Sequence, residues 1–140
     1  MKTLRPVLVA TFVALLVATA AQGQHTNVRA VVPFAFVAGD RAYPAGEYSL
    51  KSLSATGAVI RIDSEESGNN VIVSNTCGRA LPAEKTKLVF HLRGGNYFLY
   101  QVWIEGNLSG REFPISHTEK MLAQNNEKPK VVIVAATIAR

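Results

Sequence analysis

The residues with most chemistry to offer are His25, His91 and His117, Cys77, and the acidic stretch Asp63, Glu65, Glu66 with Asn69 and Asn70. A protein metal site needs three or four ligands converging at about 2 Å. The histidines are widely separated, with no His-x-His or Cys-x-x-Cys among them, so no metal is assigned. The acidic stretch raises calcium, but it lacks the spaced carboxylates and closing glutamate of an EF-hand loop and reads as a solvated turn. A serine nucleophile favours a tight glycine elbow with His and Asp to activate it, and neither Ser67-Gly68 nor Ser109-Gly110 has that pattern. Paired carboxylates for glycoside chemistry would have to be judged on distances. Cys77 has no adjacent His to lower its pKa, so a buried thiol is the favoured reading, ahead of an intermolecular disulfide. No catalytic residue, cofactor or metal is assigned, and a non-enzymatic role is expected.

One surface stands out. His91, Arg93, Tyr97, Gln101 and Trp103 mix rings with hydrogen-bonding groups, a combination that suits sugars, peptides or small amphipathic ligands. They fall on two strong strand signals, residues 87–93 and 97–104, joined around Gly94-Gly95-Asn96. A two-residue turn mixes polar and apolar side chains on both faces. A three-residue turn closed by Arg93 and Tyr97 groups Leu88, Phe90 and Leu92 with Phe98, Tyr100, Val102 and Ile104. Lys87, Val89, His91 and Arg93 then share the opposite face with Tyr97, Leu99, Gln101 and Trp103. That register is the expectation. The plainer reading is that a helix or the terminal strand covers this face and makes Leu99 and Trp103 ordinary core.

The remaining signals are mainly those of short strands that would hold this hairpin. Residues 28–37 are apolar with Phe34 and Phe36 alternating, and Pro33 favours an edge or a break because it lacks a ladder N–H. Gly39-Asp40 and Pro44-Ala45-Gly46 are turn chemistry. Residues 47–53 alternate with Tyr48 and Leu50 facing one way, Thr56-Gly57 turns the chain into 58–62, and a polar loop at 64–70 leads to 71–76. Residues 78–86 form another loop. Ser116-His117-Thr118-Glu119 fits a capping box, in which Ser116 accepts from the Glu119 N–H and Glu119 reaches back. The helix it opens is about three turns long, has Met121, Leu122 and Ala123 on its apolar side, and is too short to stand alone. Residues 131–139 are apolar on both faces, which places them inside the sheet or closing a barrel. The expected fold is all-β: an antiparallel sandwich or partly closed barrel of about seven or eight strands with one short helix.

The first 23 residues read as a cleavable export signal. Lys2 and Arg5 precede an apolar run from Val7 to Ala21, and Ala18, Ala20, Ala21 and Gly23 supply small-residue exits after Gly23 or after Ala20. The run falls short of the roughly 20 residues a membrane-spanning helix needs. Residues 24–140 then form one domain with no membrane span, exported to the periplasm or secreted. Loss of Lys2 and Arg5 leaves 13 basic against 10 acidic residues. The remaining cations are scattered singly, whereas phosphate backbones need them converging, so nucleic acid is not expected as a partner. With Cys77 alone, no internal disulfide can form, and an apolar core must hold the domain.

The run Val32-Pro33-Phe34-Ala35-Phe36, then Gly39, then Pro44-Ala45-Gly46-Glu47-Tyr48 resembles the opening of a group of small exported bacterial proteins associated with acidobacterial genomes. Lys87-Leu88-Val89-Phe90-His91, Tyr97-Phe98-Leu99 with Gln101-Val102-Trp103, and Gly110-Arg111-Glu112-Phe113-Pro114 are similar to its second half, and Ser116, Glu119 and Leu122-Ala123 continue the likeness. The chain departs at Leu92-Arg93-Gly94-Gly95, where the group has Arg-Tyr-Gly. The resemblance spans residues 31–123 and implies a shared β fold and an exported setting, with no activity attached. The expected function is therefore a binding or structural role outside the cytoplasm, with an unknown small molecule, a glycan or an envelope protein as partner. The alternatives are a small-ligand carrier with a barrel cavity of ~300 Å³ or more, or a secreted hydrolase.

Overall fold

Pro33 interrupts the long apolar run, and the chain uses the break to change sheets. The computed structural model describes residues 27–125 and 128–139. The expected leader, His25 and Asn126 lie outside the described residues. Strand β1 (Asn27–Val32) ends at Pro33, and β2 (Phe36–Ala38) and β3 (Arg41–Tyr43) form a small hairpin beyond it. Then follow β4 (Gly46–Ser52), β5 (Val59–Ser64), β6 (Gly68–Val73), β7 (Asn75–Gly78), β8 (Lys87–Arg93), β9 (Asn96–Trp103) and β10 (Ser109–Glu112). Helix α1 (His117–Ala123), β11 (Lys130–Ala135) and β12 (Thr137–Ile138) complete the order.

The strands make two packed sheets. One has the order β12-β1-β4-β5-β6 and is antiparallel throughout. The other runs β11-β8-β9-β10-β7, with β2 joining β9 and β3 joining β2. The β2–β9 pairing is parallel, so this sheet is mixed where a purely antiparallel one was expected. Both sheets keep open edges. The fold is an all-β sandwich and not a closed barrel.

Period-two patterning explains the first sheet. Val28, Ala30 and Val32 of β1, Tyr48 and Leu50 of β4, and Ile60 and Ile62 of β5 are all buried, while Arg29, Val31 and Glu47 between them are exposed. They meet Phe36, Leu88, Phe90, Leu99, Val102 and Phe113 of the facing layer in one continuous core. Phe36 sits at an aromatic junction, with ring centres 5.2 Å from Tyr43, 5.0 Å from Tyr48 and 5.4 Å from Phe90. The 64–70 loop is shorter than expected: Ser64 closes β5 and Gly68 already opens β6, leaving a three-residue turn between them.

The chain changes sheets three times more, at Pro44-Ala45 between β3 and β4, at Ser74 between β6 and β7, and at Ala136 between β11 and β12. The terminal segment is thus an edge in both sheets, where an interior position was expected. Val132 and Val134 pack on the core, while Val131 and Ile133 are 62% and 57% exposed. Among the described residues no helix is long and apolar enough to cross a membrane.

Candidate functional site

The β8–β9 hairpin turns on two residues, not three. Gly94 and Gly95 have φ of 53° and 77°, the left-handed pair that a tight primed turn requires and that glycine adopts without strain. Arg93 therefore faces Asn96 and Leu92 faces Tyr97, which overturns the expected register near the tip. A bulge then adds Tyr100 to β9, and from Val89↔Gln101 to Lys87↔Trp103 the ladder follows the expected pairing. The bulge resolves the mixing that a two-residue turn would otherwise cause. Tyr97, Leu99, Val102 and Ile104 pack on the core with Leu88 and Phe90, while Phe98, opposite His91, belongs to the outer face.

Of the five residues singled out, four stay on that outer face. Tyr97 does not: its ring stacks on Phe34 in the core at 3.8 Å. His91 Nδ1 donates to Glu119 Oε1 at 2.8 Å, and Arg93 Nε donates to the same oxygen at 3.2 Å. Glu119 is 3% exposed. Ser116 Oγ accepts the Glu119 backbone N–H at 3.1 Å, which is half of the expected capping box. The other half is absent because the carboxylate turns to the sheet, where a cation and an imidazole compensate its desolvation. Helix α1 is accordingly shorter than three turns, and its buried residue is this glutamate, while Met121 is exposed. Electrostatic docking adds to the expected apolar side, of which Leu122 and Ala123 are half-buried and Leu122 lies against Gly94.

The same face carries a second chain of bonds. Trp103 Nε1 donates to Gln101 Oε1 at 2.9 Å, and Gln101 Nε2 donates to Glu112 Oε2 at 3.0 Å. Tyr100 links the two groups: its ring stacks on His91 at 3.9 Å, and burial, then the Glu112 carboxylate, push its hydroxyl pKa above the usual value. Trp103 is 5% exposed and packs with Ala83, Val89, Cys77 and Tyr100, with the Arg79 guanidinium 5.3 Å from its ring centre. The 79–86 loop covers Trp103, and the helix covers His91 and Arg93. Burial, and next the Glu112 carboxylate, also push the Cys77 thiol up, against any role as a nucleophile. Of the acidic stretch, Asp63 in β5 is paired, 2.9 Å from Arg61 Nε and 3.5 Å from Lys51 Nζ, while Glu65 and Glu66 are exposed in the turn. His117 is exposed on the helix, with its backbone N–H bonded to Asp40.

A different arrangement lies where the sheets part, between the 53–58 loop and the 104–108 turn. Here a cavity of about 220 Å³ has Val28, Leu50, Ile60, Val102 and Ile104 among its walls. Arg111 of β10 stands at its rim with Thr56, Thr76, Asn107 and Ser109, and among the described residues it alone brings a charge to the lining. Its guanidinium is anchored by neutral acceptors alone: Nε to Ser74 Oγ at 3.0 Å, Nη1 to Thr76 Oγ1 at 2.6 Å and to Thr56 O at 3.3 Å, and Nη2 to Ser74 O at 2.8 Å. Among the described residues no carboxylate comes within 4.0 Å of it.

No protein-family model, curated protein or solved structure matches this chain. Function must therefore be argued from the geometry. Two other depressions are weaker starting points: one of about 500 Å³ is an open, polar trough over Glu47, Glu65 and Glu66, and one of about 300 Å³ lies beside Gly94 and Leu122, close to residues outside the described set. Sequence reading missed Arg111, which it used only as part of a resemblance. Its neighbours Ser74, Thr76 and Thr56 are remote in the chain, and no local pattern joins them.

Proposed function

We propose that this chain is an exported, non-enzymatic binding domain that takes a small, largely apolar molecule between its two sheets at the Arg111 end. The observation that carries the reading is the cavity itself: apolar walls from both sheets that open onto a polar rim of Thr56, Thr76, Asn107, Ser109 and Arg111, able to orient a head group. At about 220 Å³ it is below the ~300 Å³ set for a carrier, so the ligand must be smaller than a drug-sized molecule. The site lies between sheets rather than inside a barrel. Support for a non-catalytic role comes from the outer face, where Glu119, His91, Arg93, Gln101 and Glu112 bond to one another inside the fold. Support for export comes from the leader-like residues 1–23.

The test is to express the whole chain in a bacterium, recover it from the exported fraction and weigh it intact before and after denaturation. The expected result is an N-terminus at Gln24 or Ala21 and a small mass lost on unfolding. An uncleaved chain retained in the cytoplasm would refute export, and methyl signals of Val28, Leu50 and Ile60 unmoved by any small apolar probe would refute the cavity.

A second reading, docking of an envelope protein by strand addition, has its own observation. Strand β11 is an edge, and its Val131 and Ile133 stand exposed on it.

A further inference from the structure

We propose that the ligand of this cavity is a monoanion, a short amphipathic carboxylate whose head meets Arg111 and whose tail lies among Val28, Leu50, Ile60, Val102 and Ile104. The proposal rests on the reading of the cavity as a binding site and adds the charge and shape of what enters. Three observations lead to it. First, Arg111 is a half-buried cation at the rim with no carboxylate partner among the described residues, whereas Arg61 and Arg93 each have one. A charge partly removed from water is stabilised by an opposite charge, and here the chain supplies only neutral oxygens. Second, four of the five guanidinium N–H groups are committed to Ser74, Thr76 and Thr56, which leaves one on Nη2. The bonds fix the plane of the group beside the cavity, so an anion that reaches the remaining N–H meets a donor already held in place. Third, the rim has one charge and several neutral donors, among them the Asn107 amide and the Ser109 hydroxyl. One cation with neutral donors matches a single negative charge. A phosphate dianion would bring a second charge with nothing to meet it.

The apolar walls set the rest of the molecule. A cavity of this size holds a short alkyl or single-ring body against Val28, Leu50, Ile60 and Val102, with the polar end of the molecule among the rim residues.

The experiment uses the full chain after leader removal, with octanoate, octanol and octylamine as probes matched in tail and differing in head. Binding is read by calorimetry and by methyl signals of Val28, Leu50, Ile60 and Val102. Octanoate is expected to move those methyls and to bind about tenfold or more tighter than octanol, the scale of one charge-assisted contact. Octylamine is expected not to bind. Asn107→Asp, a change at an exposed rim position, is expected to weaken octanoate by about tenfold more than octanol, because only the anion meets like-charge repulsion. Arg111→Lys keeps the charge but loses the planar fork, and octanoate should weaken while the unfolding midpoint reports any loss of the clamp on Ser74 and Thr56. If octanol matches octanoate at the same methyls, the anion is wrong and the cavity reading survives. If no probe moves those methyls, both fail.

Discussion

The outer face of the β8–β9 hairpin and the mouth beside Arg111 contain similar residue types, yet they differ in how their polar groups are satisfied. On the face, Glu119 receives His91 and Arg93, and Glu112 receives Gln101, so each charge is met inside the fold. At the mouth, Arg111 is held only by hydroxyl and carbonyl oxygens, beside space that no side chain fills. A cluster of polar residues with its bonds closed stabilises a fold. A single cation met by neutral oxygens alone, beside a cavity, is where we propose that a ligand binds. Composition does not separate these cases; partners do.

The comparison breaks if the outer face proves dispensable. Glu119→Ala removes a buried anion shared by buried His91 and half-buried Arg93 and is expected to cost about 3 kcal/mol, as loss of one member of a buried ion pair does. Urea unfolding measures it; a loss under about 0.5 kcal/mol, the range of ordinary surface changes, would mean that the helix is held otherwise. Gly110→Ala comes next. An added Cβ would lie 2.7 Å from Val102 O and 2.8 Å from the Trp103 ring, so about 2 kcal/mol of overpacking strain is expected. Its effect should appear in both regions, since Gly110 separates Trp103 from the cavity. Ser116→Ala removes the acceptor for the Glu119 N–H and should cost about 1 kcal/mol, visible as a lower urea midpoint. Smallest in stability is Cys77, which should matter only to reagents. Its thiol pKa is raised by burial, so the thiolate fraction at neutral pH is below that of a free cysteine and rises only at higher pH. Iodoacetamide labelling should be slow at neutral pH and still be accelerating above pH 9.0, the ordinary value, whereas a plateau below it would contradict this.

Much of the framework was legible because it rests on local chemistry. Pro33 broke the strand where its missing N–H demanded, and Tyr48 and Leu50 went inward by simple alternation. Ser116 capped its helix for the same local reason. Errors began where a local pattern depends on a distant partner. Alternation assigns faces only while the ladder is unbroken, and the bulge at Tyr100 reverses its phase halfway along β9. That reversal put Tyr97 in the core and Phe98 on the outer face, the opposite of the expected grouping. Residues 131–139 looked interior because both faces are apolar, but the change of sheet at Ala136 makes them an edge. The candidate site was the least legible part. Arg111 gains its meaning from Ser74, 37 positions away, and from Thr56, 55 positions away.

The most direct measurement is a methyl and imidazole chemical-shift map of the leader-free chain titrated with octanoate. Saturable shifts at Val28, Leu50, Ile60 and Val102, with the His91 ring and Val131 unmoved, are the expected result. Shifts centred on His91 and its neighbours, with the cavity methyls silent, would contradict the division of the molecule into a closed polar face and an open ligand mouth.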